Sequence, residues 1–206
     1  MTESTYTPSA AEVKQLRETT QAGMMDCRQA LQDSAGDMDA AVKLLRERGA
    51  ASAAKRSGRG TGEGLIDAYV HSTGRIGVLV EIGCETDFVA RNESFQQFAR
   101  KVAMQIAANR ELQVVSADAI SEQFRASELE IFRAKAAADG RPEAMLDKIA
   151  DGMWQKSLTS YVLLDQPSIR PEDEGRTIEQ LRAELSGTMG ENIQIKRFAR
   201  FEVGEE

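Results

Sequence analysis

The N-terminal part of the chain carries apolar positions three or four apart, interrupted by short breaks, which is the pattern of a small helical bundle. The residues that share one helical face are Ala10, Val13, Leu16 and Thr20 in the first segment, Cys27, Ala30 and Leu31 in the second, and Met38, Ala41, Val42 and Leu45 in the third. Breaks fall at Gln21-Ala22-Gly23 and at Gly36-Asp37, and Asp26 can cap the second helix. The third helix is expected to end before Gly49. Residues 9–49 are therefore predicted to form a three-helix domain.

The middle of the chain changes to a strand pattern and then returns to a helical one. Leu65–His71 and Ile76–Ile82 are rich in β-branched residues, and Ser72-Thr73-Gly74-Arg75 can join them as a hairpin. From Phe95 to Ala108 the apolar residues recur at the spacing of an amphipathic helix. We expect two paired strands, followed by a helix that buries one of its faces.

The C-terminal half predicts more helices and one last strand. Residues 117–139 have a helical pattern that stops at Gly140-Arg141-Pro142, and another helix follows around Met145, so the two are expected to pair in antiparallel fashion. Asn192–Val203 alternates apolar and polar residues, as a half-buried strand does. Its expected inward positions are Ile193, Ile195, Ala199, Phe201 and Val203. The predicted fold class is α+β, in which a three-helix domain precedes an antiparallel β-sheet core packed with helices, including an antiparallel helical hairpin.

A basic stretch rich in glycine and serine, Lys55-Arg56-Ser57-Gly58-Arg59-Gly60, lies between the two patterns. Such a composition is typical of a flexible linker. The sequence therefore predicts a three-helix N-terminal domain over residues 1–50, a basic Gly/Ser linker over 51–63, and a core domain over 64–206 that includes the C-terminal strand.

The composition of the chain excludes several classes of protein. The chain has 206 residues, 41% of them apolar, and a net charge of −7 from 33 acidic and 26 basic residues. The apolar fraction can form a core in one or two domains, and the acidic balance argues against direct binding of a nucleic-acid backbone. No run of about 18 apolar residues occurs, and Met1-Thr2-Glu3-Ser4 lacks the features of a secretory signal. We expect a cytoplasmic protein without nucleic-acid or membrane contacts.

The two cysteines, Cys27 and Cys84, lie far apart and lack CxxC spacing. This spacing indicates neither a disulfide framework nor a zinc site, so each is expected to be a buried thiol. The single histidine, His71, falls at a predicted hairpin end and is expected to be a surface residue. The sequence thus indicates no metal site and no cofactor.

The segment Thr86-Asp87-Phe88-Val89 follows the second predicted strand and precedes the amphipathic helix. An acid beside an aromatic, in a loop held between two rigid elements, is typical of a site that contacts a partner. On local pattern alone, a capping acid followed by a core aromatic is the more frequent arrangement. Both interpretations are open at this level.

Three stretches are distinctive in combination: Leu16–Leu31, Cys84–Asn92 and Gly190–Phe198. Together, and in this order, they resemble the bacterial elongation factor Ts family, and the resemblance covers nearly the whole chain. The chain looks like the short form of that family, with one copy of a core module that longer members carry twice. Arg28 stands where the family usually has lysine, which keeps the charge but changes the geometry of the donors.

The resemblance implies a guanine-nucleotide exchange factor, rather than an enzyme, that binds elongation factor Tu carrying GDP. By dislocating Mg²⁺ from the partner's nucleotide site, such a factor promotes release of GDP so that GTP can enter. The matching residues here are Thr86, Asp87, Phe88 and Val89, with Phe88 as a wedge between helices of the partner and Asp87 as the group that disturbs the metal site.

The resemblance carries further expectations for the N-terminal domain and for assembly. The domain should resemble ubiquitin-associated (UBA-like) domains, and its Arg17, Met24 and Met25 match partner-contacting positions. Short members of the family are expected to pair as homodimers through the core domain.

Two other functions are compatible with parts of the sequence. One is a thiol enzyme that uses Cys84 with His71 as its base, although no third orienting residue is visible. The other is an adaptor of the ubiquitin-associated type, which would rest on residues 9–49 alone and would not need Phe88. Neither accounts for the segment from Thr86 to Val89.

Overall fold

The computed structural model describes residues 6–205, so Met1-Thr2-Glu3-Ser4 lies outside the described residues. Within that range the chain forms eight α-helices and three β-strands. Their bounds are α1 Ala10–Thr20, α2 Met24–Asp33, α3 Met38–Arg56, β1 Glu63–Val70, β2 Ile76–Cys84, α4 Asp87–Ala90, α5 Glu93–Ala108, α6 Glu122–Ala138, α7 Leu146–Tyr161, α8 Ile178–Met189 and β3 Gln194–Glu202. The predicted α+β class is confirmed.

The chain divides into two compact units, each made of several stretches. Of the described residues, the first unit contains 6–65, Ile82–Gln97 and Gln180–Gln194. The second contains Ile66–Glu81, Phe98–Glu179 and 195–205. No helix of the described residues is both long enough and apolar enough to cross a membrane.

Helices α1, α2 and α3 pack around one apolar cluster, which confirms the predicted three-helix arrangement. The buried members are Val13, Leu16, Cys27, Ala30, Leu31 and Ala41. A capping box starts α1, because the Ser9 hydroxyl accepts from the Glu12 backbone N–H and the Glu12 carboxylate accepts from the Ser9 backbone N–H. Asp37 caps α3, its carboxylate accepting from the Ala40 backbone N–H at 3.0 Å. These caps fix where the helices begin.

The start of α2 differs from the prediction. Gly23 is the N-cap and makes no side-chain cap, so the helix begins at Met24 and the predicted capping by Asp26 was wrong. Asp26 lies in the first turn instead, where a carboxylate interacts favourably with the positive end of the helix dipole.

The end of α3 also differs. The helix passes through Gly49 and ends at Arg56, so the expected stop before Gly49 was wrong and residues 51–56 of the expected linker are helical. A glycine inside a helix costs about 1 kcal/mol relative to alanine, a cost that the alanines around it can offset. Gly49 also meets Gly187 of α8, since a Cβ on Gly187 would lie only 2.9 Å from the Gly49 Cα. The absence of side chains at this crossing lets the two backbones approach.

The three strands form one sheet in the order β1-β2-β3. The His71 N–H donates to the Ile76 carbonyl at the β1–β2 turn, and the Val203 N–H donates to the Arg75 carbonyl beside it. Val78, Val80 and Ile82 are buried on one face of β2, and Leu79 is exposed on the other. The predicted hairpin and sheet are therefore confirmed.

The pairing defines an outer face of the second unit, which we call the outer sheet face. Its large apolar members are all exposed: Ile66, Val70, Leu79 and Phe201. Arg197 and Glu81 pair on this face at 2.6 Å. Ile193 and Ile195 are buried as predicted, but Phe201 and Val203 are 69% and 58% exposed, so their predicted inward position was wrong. Phe201 lies on the solvent-exposed side of β3, and Val203 lies just beyond the end of the strand.

Helices α6 and α7 form the predicted antiparallel hairpin. Phe124, near the start of α6, stacks edge-on against Tyr161 at the end of α7, with ring centroids 5.1 Å apart. Trp154 completes this aromatic cluster and is buried. The Tyr161 hydroxyl donates to Glu128, and burial followed by this bond raises the pKa of Tyr161 to about 12.

Candidate functional site

The segment that the sequence singled out begins where β2 ends. Cys84 closes the strand with a fully buried side chain, and its Sγ donates to the Thr86 carbonyl at 3.1 Å. Burial raises the pKa of the Cys84 thiol. This residue therefore acts as a small packed side chain beneath the segment from Thr86 to Val89.

Residues 87–90 form the one-turn helix α4, so the prediction of a loop at Asp87 and Phe88 was wrong. Thr86 is the N-cap, and its hydroxyl accepts from the Val89 N–H at 3.4 Å. The Arg91 N–H closes the turn on the Asp87 carbonyl. We call residues 86–89 the capped turn, because Thr86 sets its first bond and thereby fixes how the next residues project.

The capped turn presents its aromatic side chain to solvent. Phe88 is 81% exposed, whereas Asp87 and Val89 are half-buried. The structure thus rules out the interpretation of Phe88 as a core aromatic. Asp87 forms an ion pair with Arg91 at 3.0 Å, and both side chains remain largely accessible. Exposed pairs of this kind contribute little stability, so Asp87 can exchange Arg91 for another partner.

Glu191, which the sequence reasoning did not select, holds the base of the capped turn. One carboxylate oxygen, Oε2, accepts from the backbone N–H groups of Glu85 and Thr86, at 3.0 and 3.1 Å. The other, Oε1, accepts from the Thr86 hydroxyl at 2.6 Å. Glu191 follows the turn by about a hundred residues in sequence, so no local pattern could have indicated this contact. The only signal was its place in Gly190–Phe198, a stretch that had been noted as a whole.

A second set of predicted residues lines a groove on the three-helix bundle. Arg17 of α1 and Met24 and Met25 of α2 border a cavity of about 560 Å³. The other lining residues are Pro8, Ala10, Val13, Lys14 and Arg28. Met24 and Met25 are 59% and 71% exposed, an unusual state for two adjacent apolar side chains. We call this surface the methionine groove.

The methionine groove combines an apolar floor with a basic rim. Val13 is buried below, while Lys14, Arg17 and Arg28 are exposed around it. Methionine side chains adapt readily to an opposing surface, and the surrounding cations favour a partner that carries acidic groups. Arg17, Met24 and Met25 are thus brought together by the fold, and no described contact joins them to the capped turn.

The residues of the thiol-enzyme hypothesis have other partners. The His71 Nδ1 lies 3.1 Å from the Tyr69 hydroxyl, and the thiol of Cys84 is buried against Thr86. Among residues 6–205, no group of three or more His, Cys, Asp and Glu side chains is arranged to hold a metal ion.

Comparison with known proteins adds the family. The family model "Elongation factor TS" matches residues 2–205. The chain is 48% identical over 198 residues to elongation factor Ts of Nitratidesulfovibrio vulgaris and 50% identical over 198 residues to that of Solidesulfovibrio magneticus, covering 96% of this chain and 98% of each relative. It is 49% identical over 197 residues to elongation factor Ts of Rippkaea orientalis, covering 96% of this chain and 78% of the relative. The chain belongs to the elongation factor Ts family.

Proposed function

We propose that this protein is a guanine-nucleotide exchange factor of translation elongation, which binds elongation factor Tu carrying GDP and accelerates release of the nucleotide. Family membership supports the role in elongation. The single observation that carries the proposal for the site is the exposure of Phe88, which is 81%, on a turn fastened at both ends. Insertion into a partner requires an exposed aromatic side chain that is held by a rigid segment of the backbone.

In the proposed mechanism, the ring of Phe88 enters between helices of the partner, and Asp87 disturbs the partner's metal site. A bound diphosphate is held by Mg²⁺ and by the backbone amides of a phosphate loop. Once Mg²⁺ is displaced, the phosphate charges are poorly compensated and GDP leaves faster. Asp87 must release Arg91 to act, and this release costs little free energy because their ion pair is exposed to solvent. No covalent chemistry on this chain is needed, so the proposed role is not that of an enzyme.

The size of one side chain limits what Phe88 can do alone. Burying a phenylalanine contributes roughly 1.5–3 kcal/mol, or about ten- to a hundred-fold in an equilibrium constant. A second contact is therefore part of the proposal. The methionine groove supplies it, with Arg17, Met24 and Met25 as the contacting residues. By linkage, a factor that weakens GDP binding has its own binding weakened by GDP in the same ratio, so the factor is released after exchange.

The test is the release of a fluorescent GDP from elongation factor Tu, at fixed Mg²⁺, with and without this protein. We expect acceleration by the parent and a loss of about tenfold or more for Phe88→Ala, the lower bound of burying that ring. Ile131→Ala is the matched control, because Ile131 is also an exposed apolar residue (55%) but lies on α6. Equal activity of Phe88→Ala and the control would place the chemistry elsewhere. No acceleration by the parent would favour the adaptor function instead.

We also propose that the protein pairs with a second copy of itself through the outer sheet face. Ile66, Val70, Leu79 and Phe201 leave this face apolar and exposed, which is typical of an interaction surface. A two-fold interface needs a patch that is complementary to itself. This face meets that condition, because it is apolar and its Glu81 and Arg197 already neutralise each other. The proposed site of action is the cytoplasm, where elongation takes place.

A further inference from the structure

We propose that Glu191 is a positioning residue for nucleotide exchange, which acts by fixing the direction of the capped turn. The inference rests on the proposed exchange function and adds to it a residue that acts through its contacts with the capped turn. Three hydrogen bonds from Glu85 and Thr86 converge on its carboxylate. All three donors belong to the two residues that connect β2 to α4.

The donors matter because of where they lie. The backbone N–H groups of Glu85 and Thr86 set the path of the chain as it leaves the strand. The Thr86 hydroxyl has two roles, since it donates to Glu191 and accepts from the N–H of Val89. Removal of the carboxylate therefore releases both the entry to α4 and the orientation of its cap. Phe88 follows two residues later on a helix of only four residues, so it inherits any change in that orientation.

The backbone at Glu191 is itself fixed by neighbouring residues. Helix α8 ends at Met189, and Gly190 takes a left-handed conformation (φ 73°) that turns the chain back. The buried hydroxyl of Ser186 donates to the Glu191 carbonyl. The backbone of Glu191 is therefore fixed, so its carboxylate meets the capped turn from a defined position.

The neighbouring residue, Asn192, adds a hydrogen bond in the opposite direction. We call the set of hydrogen bonds between residues 85–86 and residues 191–192 the clasp. The Asn192 backbone N–H donates to Glu85 Oε1 at 2.6 Å, so Glu85 and the 191–192 pair bind each other in both directions. The fully buried Asn192 side chain donates from Nδ2 to the carbonyls of Ser57 and Arg59, at 3.2 and 2.7 Å. The clasp thus fastens the capped turn to the chain that follows α3.

The experiment compares Glu191→Ala and Glu191→Gln with the parent in the GDP-release assay, over a range of factor concentrations. Glutamine keeps an oxygen acceptor for the two backbone N–H groups, so it should retain most of the activity. Alanine leaves three donors without a partner and should lower the maximal rate by about tenfold, the effect of losing one hydrogen bond to a charged group. Glu130→Ala, an exposed glutamate of α6, is the matched control and should behave as the parent.

A double-mutant cycle separates positioning from a general effect on stability. If Glu191 acts through Phe88, then Glu191→Ala in the Phe88→Ala background should change the release rate by less than about twofold. Independent, multiplying effects would overturn the proposal, as would parent-like activity of a folded Glu191→Ala protein. Should that variant fail to fold by circular dichroism, the cycle is run with Thr86→Val, which removes the hydroxyl that donates to Glu191 and whose effect must then be non-additive with that of Phe88→Ala. A parent without exchange activity would refute the proposed function itself, a different result from either of these.

Discussion

The ring of Phe88 is exposed to solvent because the short turn that carries it offers no surface against which the ring could pack. A helix of four residues has no second turn against which an aromatic could fold back, and its cap and ion pair use the polar groups at both ends. The free energy of burying the ring, roughly 1.5–3 kcal/mol, therefore stays available for a partner. The same exposure explains why the sequence alone left the role of this residue open.

At the residue scale, the cysteines give a direct test of the thiol-enzyme hypothesis. Cys27 and Cys84 have no exposed surface, and burial is the main cause that raises the pKa of each thiol. We expect both to react with a disulfide reagent only slowly at pH 7–8, and rapidly in denaturant. A Thr159→Cys variant, which adds a thiol at an exposed position, supplies the fast-reacting control. Fast labelling of Cys84 in the native protein would contradict its structural role.

Glu191 shows where residue-level prediction stops. The capped turn could be located from its place between a strand and a helix, and the methionine groove from its match to the family. The clasp could not, because its partners are separated by about a hundred residues and each is an ordinary polar side chain. Contacts of this kind depend on how strands and helices are arranged in space, which local periodicity does not contain.

At the element scale, the start of α1 should give a pH dependence. Hydrogen bonds from Ser9 and then Tyr6 lower the pKa of Glu12 from 4.5 to about 2. Because the folded-state pKa is depressed, the stabilisation is complete above about pH 4.5 and is lost as the pH falls through about 2. The difference in Tm between the parent and Glu12→Gln should therefore shrink over that range. A difference in Tm that does not change with pH would contradict the assignment.

The crossing of α3 and α8 makes a second element-scale prediction. A Cβ at Gly187 would meet the Gly49 backbone at 2.9 to 3.4 Å, so Gly187→Val must push the helices apart. We expect a loss of about 1–3 kcal/mol in the free energy of unfolding. Gly152→Ala is the control, since Gly152 lies inside α7 with nothing within 4 Å and should gain roughly 0.5–1 kcal/mol. Urea unfolding measures both, and an unchanged Gly187→Val protein would show that the helices can part at no cost.

The same crossing explains the one large boundary error of the sequence analysis. Glycine followed by a basic Gly/Ser stretch is a sound signal for a helix end, yet α3 continues to Arg56. Arg56 donates to the Ser186 carbonyl of α8 at 3.3 Å, and Ala53 is fully buried. Tertiary contacts thus extend a helix that local propensity would have stopped. The proposed division into domains at residues 50 and 63 stays a prediction.

At the scale of the whole molecule, the outer sheet face determines the expected assembly. If two copies pair through it, sedimentation equilibrium at micromolar concentration should report a dimer, and the Tm should rise with protein concentration. Phe201→Lys places a charge on this face, where the native residue is 69% exposed, and should give a monomer. Ile131→Lys, an equally drastic change at a 55% exposed position of α6, should leave the assembly intact. A strict monomer for the parent would refute the pairing.

The clasp between residues 85–86 and 191–192 also bears on how the protein is made. The apolar cluster of α1 to α3 is made by residues that are close in sequence, so this bundle can form early during synthesis. The capped turn is translated next, but the carboxylate that orients it leaves the ribosome only about a hundred residues later. A nascent chain therefore displays Phe88 on an unfixed support for about half of its synthesis. Under the proposed positioning role, the ability to exchange nucleotide arrives at a late and abrupt moment, when Glu191 closes on Thr86.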